Sequence, residues 1–285
     1  MPNSVTRRSH KDEIESGKRF AFGENWTRFL KVIDERRINR AMDSLRDMLD
    51  VESLGGKTFL DVGSGSGLFS LAAKRLGAVV LSFDYDPMSV ACTKELKRRY
   101  FNDDSGWKIE LGSVLDSDFM QRLGQFDIVY SWGVLHHTGN MWLALNSVDL
   151  CVAKHGKLFV ALYNNQGCAS KRWLVIKKVY NQLPRVFQGA FAAAIYFPLE
   201  LRSLIAQLAR GRPLAYFDYV INYEKHSGRG MSWWRDKTDW IGGYPFEVSK
   251  PDDVFGFYRR KGYTLCALRT CGGGSGCNEF VFQRG

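Results

Sequence analysis

The feature that most constrains the fold is a short apolar segment followed at once by glycines at alternate positions. Residues 58–62 have the pattern of a buried strand, Gly63, Gly65 and Gly67 follow, and a helical pattern begins at Leu68. Glycines in such a turn let backbone N–H groups approach a ligand closely and let strand and helix pack tightly. The turn therefore predicts a ligand site at the end of the first strand of an α/β domain.

Predicted strands and helices alternate after this turn, and their order sets the topology. The apolar patterns predict strands over residues 58–62, 78–83, 107–111, 126–131 and 157–163, and helices over 34–49, 68–76, 88–99 and 140–152. A further helix is predicted over 251–261, with strands over 263–269 and 279–283. This alternation predicts right-handed crossovers and a parallel sheet with helices on both faces.

Two carboxylates narrow the choice of ligand. Asp61 ends the first strand, where it would repel a pyrophosphate and attract an amino group, and the glycines are spaced G-x-G-x-G rather than in the dinucleotide pattern G-x-G-x-x-G. Asp84 ends the second strand, near the offset of about 20 residues at which an acid meets ribose hydroxyls in doubly wound folds. Asp86, just before Pro87, is better placed to cap the next helix.

Five motifs occur in the order in which a known family has them. They are LDVGSGSG at 60–67, FDYDP at 83–87, GSVLD at 112–116, FDIVYSWGVLHH at 126–137 and HGKLFVALYN at 155–164. In these segments the chain resembles the class I S-adenosylmethionine-dependent methyltransferases, especially the ubiquinone- and menaquinone-pathway group with its methyltransferase type 11/12-like core. The resemblance implies a doubly wound, Rossmann-like α/β fold with a seven-stranded sheet whose last strand is antiparallel.

The resemblance also implies which residues hold the cofactor, S-adenosyl-L-methionine. Asp61 and the glycine turn would bind the methionine portion, and Asp84 the ribose. Many members have an Asp where this chain has Ser113, so Ser113 or Asp116 would have to contact the adenine. Trp26 lies in a segment, 22–29, that looks like the N-terminal lid of some members, although simple docking of an amphipathic segment explains it equally well. The expected cofactor-binding residues are Asp61, Gly63, Ser64, Gly65, Gly67, Asp84, Tyr85, Ser113, Val114, Trp132 and Trp26.

Methyl transfer from a sulfonium is an in-line displacement, so positioning of the acceptor supplies much of the rate. The aromatic faces of Trp26, Tyr85 and Trp132 can stabilise the sulfonium charge. His136 and His137 follow the fourth strand at the ligand-facing edge and are the candidate catalytic bases. The alternative is that one or both histidines only bind loop backbone.

Three further residues are expected to contact the methyl acceptor. Asn164 ends the fifth strand and faces the cleft, although an Asx turn would also explain it. Trp240 and Tyr244 belong to the loop WIGGYPFE at 240–247, whose rings, glycines and single acid suit an acceptor pocket better than a core. No Cys/His pattern for a metal is present in the sequence, so no metal site is expected.

The elements divide the chain into a core and an insertion. Residues 1–20 are expected to form a mobile basic tail, 21–165 and 246–285 the methyltransferase core, and 166–245 a helical and aromatic insertion. The insertion resembles the membrane-facing insertion of ubiquinone-pathway enzymes, so residues 171–212 could contact an anionic membrane peripherally, whereas a cap over the pocket or a dimer contact would explain the same pattern. Its apolar stretch, 186–208, is interrupted by Glu200 and Arg202 and is expected to break at Pro198, which argues against a transmembrane helix.

The predicted function is methyl transfer to a small molecule, most readily to the oxygen of a phenolic, sugar or lipid-linked hydroxyl. The net charge of +10 would also suit a nucleic-acid or protein methyltransferase. However, Ser131-Trp132-Gly133-Val134 stands where amino-group methyltransferases carry an Asn/Asp-Pro-Pro-Tyr motif, so nucleic acid is not the expected partner. A non-catalytic cofactor-binding protein is the third alternative. The polar N-terminus and scattered cysteines favour a cytoplasmic location, with membrane association left open.

Overall fold

The computed structural model describes residues 10–223 and 233–285. Within these ranges, seven strands form one sheet in the order β3-β2-β1-β4-β5-β7-β6. The strands are β1 Thr58–Val62, β2 Val79–Asp84, β3 Trp107–Leu111, β4 Phe126–Trp132, β5 Val152–Tyr163, β6 Tyr263–Arg269 and β7 Cys277–Arg284.

Helices cover the sheet and extend away from it. A helical segment over residues 10–15 comes first. The helices that follow are α1 Phe22–Phe29, α2 Glu35–Leu49, α3 Leu68–Arg75, α4 Pro87–Phe101, α5 Ser117–Leu123, α6 Met141–Leu150, α7 Cys168–Gln182, α8 Arg185–Ala209, α9 Pro213–Ile221, α10 Trp233–Gly242 and α11 Pro251–Arg260.

The sheet has the predicted Rossmann-like topology. Strands β1 to β5 pair in parallel, and β7 runs antiparallel to both β5 and β6. The prediction of a seven-stranded sheet with an antiparallel last strand is thus confirmed. This topology brings the carboxyl ends of β1, β4 and β5 and the start of β7 to the same edge of the sheet, where ligands bind in open α/β folds.

Two apolar layers hold the helices to the sheet. On one face, α2, α3 and α4 pack on Phe59, Ile128 and Tyr130. On the other face, α5, α6 and α11 pack on Leu60 and Val129. Successive strand residues point to opposite faces, so these alternating side chains supply both layers. Both faces are buried, as the continuous apolar strand patterns predict.

The fifth strand begins earlier than its sequence pattern indicated. Helix α6 ends at Leu150 instead of continuing to residue 152, and β5 already starts at Val152. Phe126 pairs with Val152 and Ile128 pairs with Lys157, so the register between β4 and β5 shifts at this point and residues 153–156 are accommodated within β5. Helix α5 was not predicted, because its seven residues are too few to show a clear apolar period.

The expected mobile tail is wrong for the part that the structure describes. Residues 10–15 are helical, and His10 is buried beside Asp86. The side chain of Arg19 donates to the backbone oxygen of His137 at 2.9 Å. Polar groups therefore anchor this segment to the core where apolar contacts are few. Residues 1–9 lie outside the described part of the chain.

The apolar helix of the insertion is also more continuous than expected. Helix α8 runs through Pro198, which removes only one backbone donor from it. Glu200 turns inward, because it pairs with Lys237 and accepts a hydrogen bond from Tyr216. Among the described helices, α8 alone is long and apolar enough to cross a membrane, and its most apolar stretch is 11% buried. A single such helix does not establish a membrane span.

Candidate active site

A cavity of about 600 Å³ lies at the carboxyl edge of the sheet. Its walls come from the glycine turn, the ends of β2, β4 and β5, the start of β7, the segment 10–44 and the insertion. Twelve of the residues singled out from the sequence line it, namely Trp26, Asp61, Gly63, Ser64, Gly65, Asp84, Tyr85, Ser113, Val114, Trp132, His137 and Trp240.

The glycine turn is held against β2 by backbone hydrogen bonds. The N–H groups of Gly63 and Ser64 both donate to the carbonyl oxygen of Phe83. Gly65 has φ of +55°, and a Cβ atom there would lie 2.9 Å from the indole of Trp26. A side chain at this position would therefore be strained and would collide with the ring that covers the turn.

Asp61 is buried at the base of the turn and is oriented by a chain of hydrogen bonds. The indole N–H of Trp107 donates to Ser82 Oγ at 2.9 Å, and Ser82 and Ser70 share a hydrogen bond of 2.7 Å. Ser70 Oγ then donates to Asp61 Oδ2 at 2.5 Å. Because an indole N–H can only donate, the chain has one direction and ends on the carboxylate. Burial raises the pKa of Asp61 to about 7.

Asp84 links the second strand to the glycine turn. Its Oδ2 accepts the N–H of Gly65 at 2.9 Å, and its Oδ1 accepts the N–H of Asp86 at 2.9 Å. Burial raises the pKa of Asp84 to about 6. Asp86 has the predicted capping role, since it accepts the N–H of Met88, and it also accepts the N–H of Gly23.

The N-terminal segment covers this part of the cavity. Trp26 lies over Gly65. Tyr85 donates from its hydroxyl to Glu13 at 3.0 Å, and the guanidinium of Arg19 lies 4.9 Å from the Tyr85 ring centre. The segment therefore touches both the turn and the residue after Asp84, as a cofactor lid would.

The two histidines have different hydrogen-bond partners. His137 Nδ1 lies 2.6 Å from the carbonyl oxygen of Pro245, so Nδ1 carries the proton and Nε2 is the acceptor in the neutral ring. His136 Nδ1 accepts the N–H of Tyr163 at 3.3 Å, so its proton lies on Nε2. That Nε2 atom is buried and has no hydrogen-bond partner among the described residues.

Both imidazoles are neutral at pH 7. Burial lowers the pKa of His137 to about 3 and holds the pKa of His136 well below its usual value. His137 lines the cavity and His136 does not. The geometry therefore distinguishes the two candidates: of the two histidines, only His137 lines the cavity, and its acceptor nitrogen is Nε2.

A buried lysine from the insertion stands behind this wall. Lys177 is fully buried, donates to the carbonyl oxygen of Trp240, and lies 4.5 Å from the centre of the Trp240 ring. Burial lowers the pKa of Lys177 to about 7. In the sequence, Lys177 looked like part of a basic surface. Its burial could not be read from the local pattern, because the residues that enclose it, Trp240 and Phe246, are distant in the chain.

Four expected site residues do not line the cavity. Gly67 precedes α3 and packs on Thr93, and His136 stacks on Tyr163. Asn164 donates to the backbone oxygen of Gly274 in the glycine-rich β6–β7 loop and accepts a hydrogen bond from Asn278 of β7. Tyr244 accepts the N–H of Phe20 through its backbone oxygen. The alternative adenine contact Asp116 instead caps α5, which leaves Ser113 at the cavity.

Among the cavity residues that were not predicted from the sequence, three have buried polar atoms without a hydrogen-bond partner in the described chain. Arg37 presents a buried Nε without a partner in the described chain, and Tyr130 and Glu279 each present a buried oxygen without a hydrogen bond there. Arg37 looked like one charge among many in α2. Tyr130 and Glu279 looked like ordinary strand residues, and no local signal distinguishes them from their neighbours.

The chain is similar in sequence and in fold to known methyltransferases. Residues 33–235 match a family model described as a methyltransferase domain. The ubiquinone biosynthesis O-methyltransferase of Escherichia coli is 28% identical over 125 residues, which cover 43% of this chain and 48% of that protein. The chain thus spans about half the length of the curated relatives it matches.

Two solved structures share the fold at low sequence identity. Magnesium protoporphyrin IX methyltransferase from Synechocystis PCC 6803 has a TM-score of 0.50 and 12% identity, with 88% of this chain and 83% of that chain covered. An O-methyltransferase family protein from Burkholderia thailandensis has a TM-score of 0.51 and 14% identity, with 96% and 66% covered.

The fold, the cavity at the glycine turn and the matching family model identify a class I S-adenosylmethionine-dependent methyltransferase domain, a kind of domain whose cofactor is S-adenosyl-L-methionine. Because the family model covers more than half of the chain, this chain belongs to the methyltransferase-domain family. The cavity also fits the cofactor chemically. The open backbone of the turn suits the methionine portion, and the acid Asp84 suits the ribose hydroxyls. The cation Arg37 suits the methionine carboxylate.

Proposed function

We propose that this protein transfers a methyl group to the hydroxyl oxygen of a small molecule bound in the cavity. The observation that carries the proposal is His137, whose Nδ1 is held by the Pro245 carbonyl oxygen and whose ring lines the cavity beside the cofactor residues. A nitrogen acceptor fixed in one tautomer suits a hydroxyl, which must lose its proton during the attack.

The cofactor-binding roles form the first part of the proposal. Asp61 and the turn bind the methionine portion, Asp84 accepts hydrogen bonds from the ribose hydroxyls, and Ser113 and Val114 contact the adenine. When bound, S-adenosylmethionine supplies the electrophilic methyl group. Trp26, Tyr85 and Trp132 line the same cavity and would exclude water and stabilise the sulfonium with their ring faces.

The acceptor-side roles form the second part. His137 Nε2 accepts a hydrogen bond from the acceptor hydroxyl. It takes the hydroxyl proton as the methyl–oxygen bond forms and the methyl–sulfur bond breaks, with S-adenosylhomocysteine as the leaving group. Its neutral form is available at physiological pH, because burial holds its pKa at about 3. Lys177 positions the acceptor wall through its bond to the Trp240 carbonyl oxygen. We also propose that residues 166–245 act as the acceptor-binding cap of a core formed by 21–165 and 246–285, since Asp236, Asp239 and Trp240 line the cavity.

A two-stage experiment tests this function. Calorimetry with S-adenosylhomocysteine should show binding to the wild type and at least a tenfold loss in Asp84→Ala, because the ribose loses its charged partner. A metabolite extract is then incubated with cofactor carrying a ¹³C-methyl group, and the product is examined by mass spectrometry and NMR. A labelled methoxy group that disappears with His137→Ala supports the proposal. A labelled N-methyl or C-methyl product would contradict O-methylation.

We further propose that residues 171–212 contact an anionic membrane peripherally. Helix α8 buries only Ala192 and Tyr196 among its side chains, and it exposes Phe187, Phe197 and Ile205. Exposed arginines and lysines are also present in α7 and in α8 itself. An exposed apolar surface bordered by cations is typical of a helix lying in a bilayer interface.

Vesicle sedimentation tests the membrane contact. Wild-type protein should bind vesicles of phosphatidylglycerol and phosphatidylcholine, and a triple variant, Phe187→Ser, Phe197→Ser and Ile205→Ser, should lose most of this binding. Leu268→Ser changes an exposed apolar residue of β6 and is the matched control. Equal binding by the triple variant, or a wild-type dimer that the triple variant dissociates, would overturn the proposal. We also propose a cytoplasmic location, which the scattered spacing of the six cysteines in the sequence favours.

A further inference from the structure

One part of the cavity is formed by side chains that rise from the same face of neighbouring strands. Trp132 of β4 is paired with Ala161 of β5, and Ala161 is paired with Glu279 of β7. Paired residues of adjacent strands point to the same face. The indole of Trp132 reaches over Ala161 and donates from Nε1 to Glu279 Oε1 at 3.0 Å. Tyr130 lies two residues before Trp132 and therefore points to this face as well.

Two buried oxygens at this place make no hydrogen bond. Tyr130 is 2% exposed, and its hydroxyl has no partner in the described chain. Glu279 Oε2 is likewise buried and makes no hydrogen bond there, although Arg269 Nη1 lies 3.5 Å away as an ion pair. Leaving a buried polar atom without a hydrogen bond lowers the stability of the folded protein. Both residues line the cavity, so a ligand in the cavity can supply the missing partners.

The position of Glu279 places it on the side away from the adenosine. Asp84, the proposed ribose acid, lies on β2, next to β1 on one side. Glu279 lies on β7, three strands from β1 on the other side. With neighbouring strands about 4.8 Å apart, this separation is roughly 14 Å across the sheet. A cofactor anchored at β1 and β2 therefore leaves the Glu279 end of the cavity to the acceptor. Tyr130 is paired with Asp61 of β1 and lies between the two ends.

The residues around Tyr130 and Glu279 indicate which chemical group of a ligand would bind there. Glu279 Oε2 can accept a hydrogen bond, and the Tyr130 hydroxyl can donate or accept. Arg269 already offsets the charge of the carboxylate, which favours a neutral donor over a cation. Phe69 and Trp132 line the cavity beside these atoms, and their rings favour a planar apolar body.

We propose that Tyr130 and Glu279 form a specificity subsite that binds a hydroxyl group carried on an aromatic ring of the methyl acceptor. The subsite rests on the proposed function, since it assumes that a small-molecule acceptor occupies the cavity beside the cofactor. It narrows the acceptor class to hydroxylated aromatic compounds. The two residues bind and orient this acceptor, whereas His137 remains the proposed base.

Binding of two simple probes tests the subsite without knowledge of the natural acceptor. Phenol and anisole have similar rings, but only phenol has a donor. Protein saturated with S-adenosylhomocysteine is titrated with each probe and followed by ligand-observed NMR. Wild-type protein should prefer phenol. Tyr130→Phe and Glu279→Gln should each weaken phenol binding about 5- to 10-fold, the value of one hydrogen bond, and should leave anisole binding unchanged.

Stability measurements separate this role from a structural one. Tyr130→Phe should not lower the unfolding midpoint, because its hydroxyl has no partner in the described chain. Tyr258→Phe is the matched control. It removes a hydroxyl that donates to the Leu145 carbonyl oxygen at 3.0 Å outside the cavity, so it should lower stability and leave both probe affinities unchanged.

Two results would overturn the subsite. The first is equal binding of phenol and anisole to the wild type, or an unchanged phenol preference in both variants. The second is a loss of S-adenosylhomocysteine affinity in the variants with unchanged affinity for 5′-methylthioadenosine, which lacks the amino-acid portion. That result would assign Tyr130 and Glu279 to the cofactor. Failure of the wild type to bind S-adenosylhomocysteine would instead refute the proposed function itself, so the two failures are distinguishable.

Discussion

Replacing Asp61 by asparagine should make the protein more stable above neutral pH while weakening cofactor binding. Burial raises the pKa of Asp61 from 3.8 to about 7. Between these two values the folded state binds a proton that the unfolded state does not. The free energy of unfolding of the wild type therefore falls as the pH rises from about 4 to about 7, and the whole penalty is present above pH 7.

The size of this penalty follows from the shift in pKa. A shift of about 3 units corresponds to about 4 kcal/mol, since each unit is worth about 1.4 kcal/mol. Of this, about 3 kcal/mol develops between pH 5 and pH 8. The side-chain amide in Asp61→Asn cannot ionise, so the variant should lack this component. The burial of Asp84 is common to both proteins, and the charge of Asp84 adds to the raised pKa of Asp61.

Urea unfolding at pH 5 and pH 8 measures the difference. The loss of stability between the two pH values should be about 2–3 kcal/mol larger for the wild type than for Asp61→Asn. Asp116→Asn changes a helix-capping carboxylate outside the cavity, and it should behave like the wild type. Parallel losses in the wild type and Asp61→Asn would refute the reasoning that burial of this carboxylate costs stability. Calorimetry should also show at least a tenfold loss of S-adenosylhomocysteine affinity in Asp61→Asn.

Three further outcomes are expected. The affinity for S-adenosylhomocysteine should fall several-fold from pH 8 to pH 5, because protonation of Asp84 with its pKa of about 6 removes a charged acceptor. Asp84→Asn should show a shallower calorimetric profile, with only the contribution of Asp61 left, and a slope equal to that of the wild type would contradict this cause. Gly65→Ala should weaken the affinity for S-adenosylhomocysteine at least tenfold and destabilise the fold by about 1–2 kcal/mol. The reason is that residue 65 has a φ of +55° and an added Cβ atom would meet Trp26. Wild-type affinity and stability in this variant would exclude a close contact between the turn and Trp26. The imidazole NMR signals of His137 should not shift between pH 5 and pH 8, since burial lowers its pKa to about 3; a titration midpoint above pH 5 would show that the ring is not buried in solution.

Local patterns in the sequence determined most of the sheet and the cofactor end of the cavity. The bounds of β1, β3 and β6 agree with the apolar patterns, and the glycine turn stands directly after β1. Asp61, Asp84 and Tyr85 come to the cavity because each ends or follows a strand of a parallel sheet. These features depend on residues next to one another in the chain, so the order of residues was sufficient to predict them.

The acceptor side was decided by tertiary contacts. The sequence does not distinguish the two adjacent histidines. Hydrogen bonds with Pro245 and Tyr163 set their tautomers, and the position of the cavity decides which of them can contact a ligand. Lys177 is buried by rings distant from it in the chain, so its pattern in the sequence was that of an ordinary surface lysine.

The glycine turn illustrates the difference between what the sequence determines and what the tertiary structure determines. Its sequence by itself determined a close backbone approach to a ligand, because φ angles and strand ends are local properties. Which hydroxyl, histidine or carboxylate faces that ligand depends on strand pairing, as the row from Trp132 to Glu279 shows. Burial and hydrogen-bond partners are set by residues far apart in the chain, and for that reason only the folded protein assigns them.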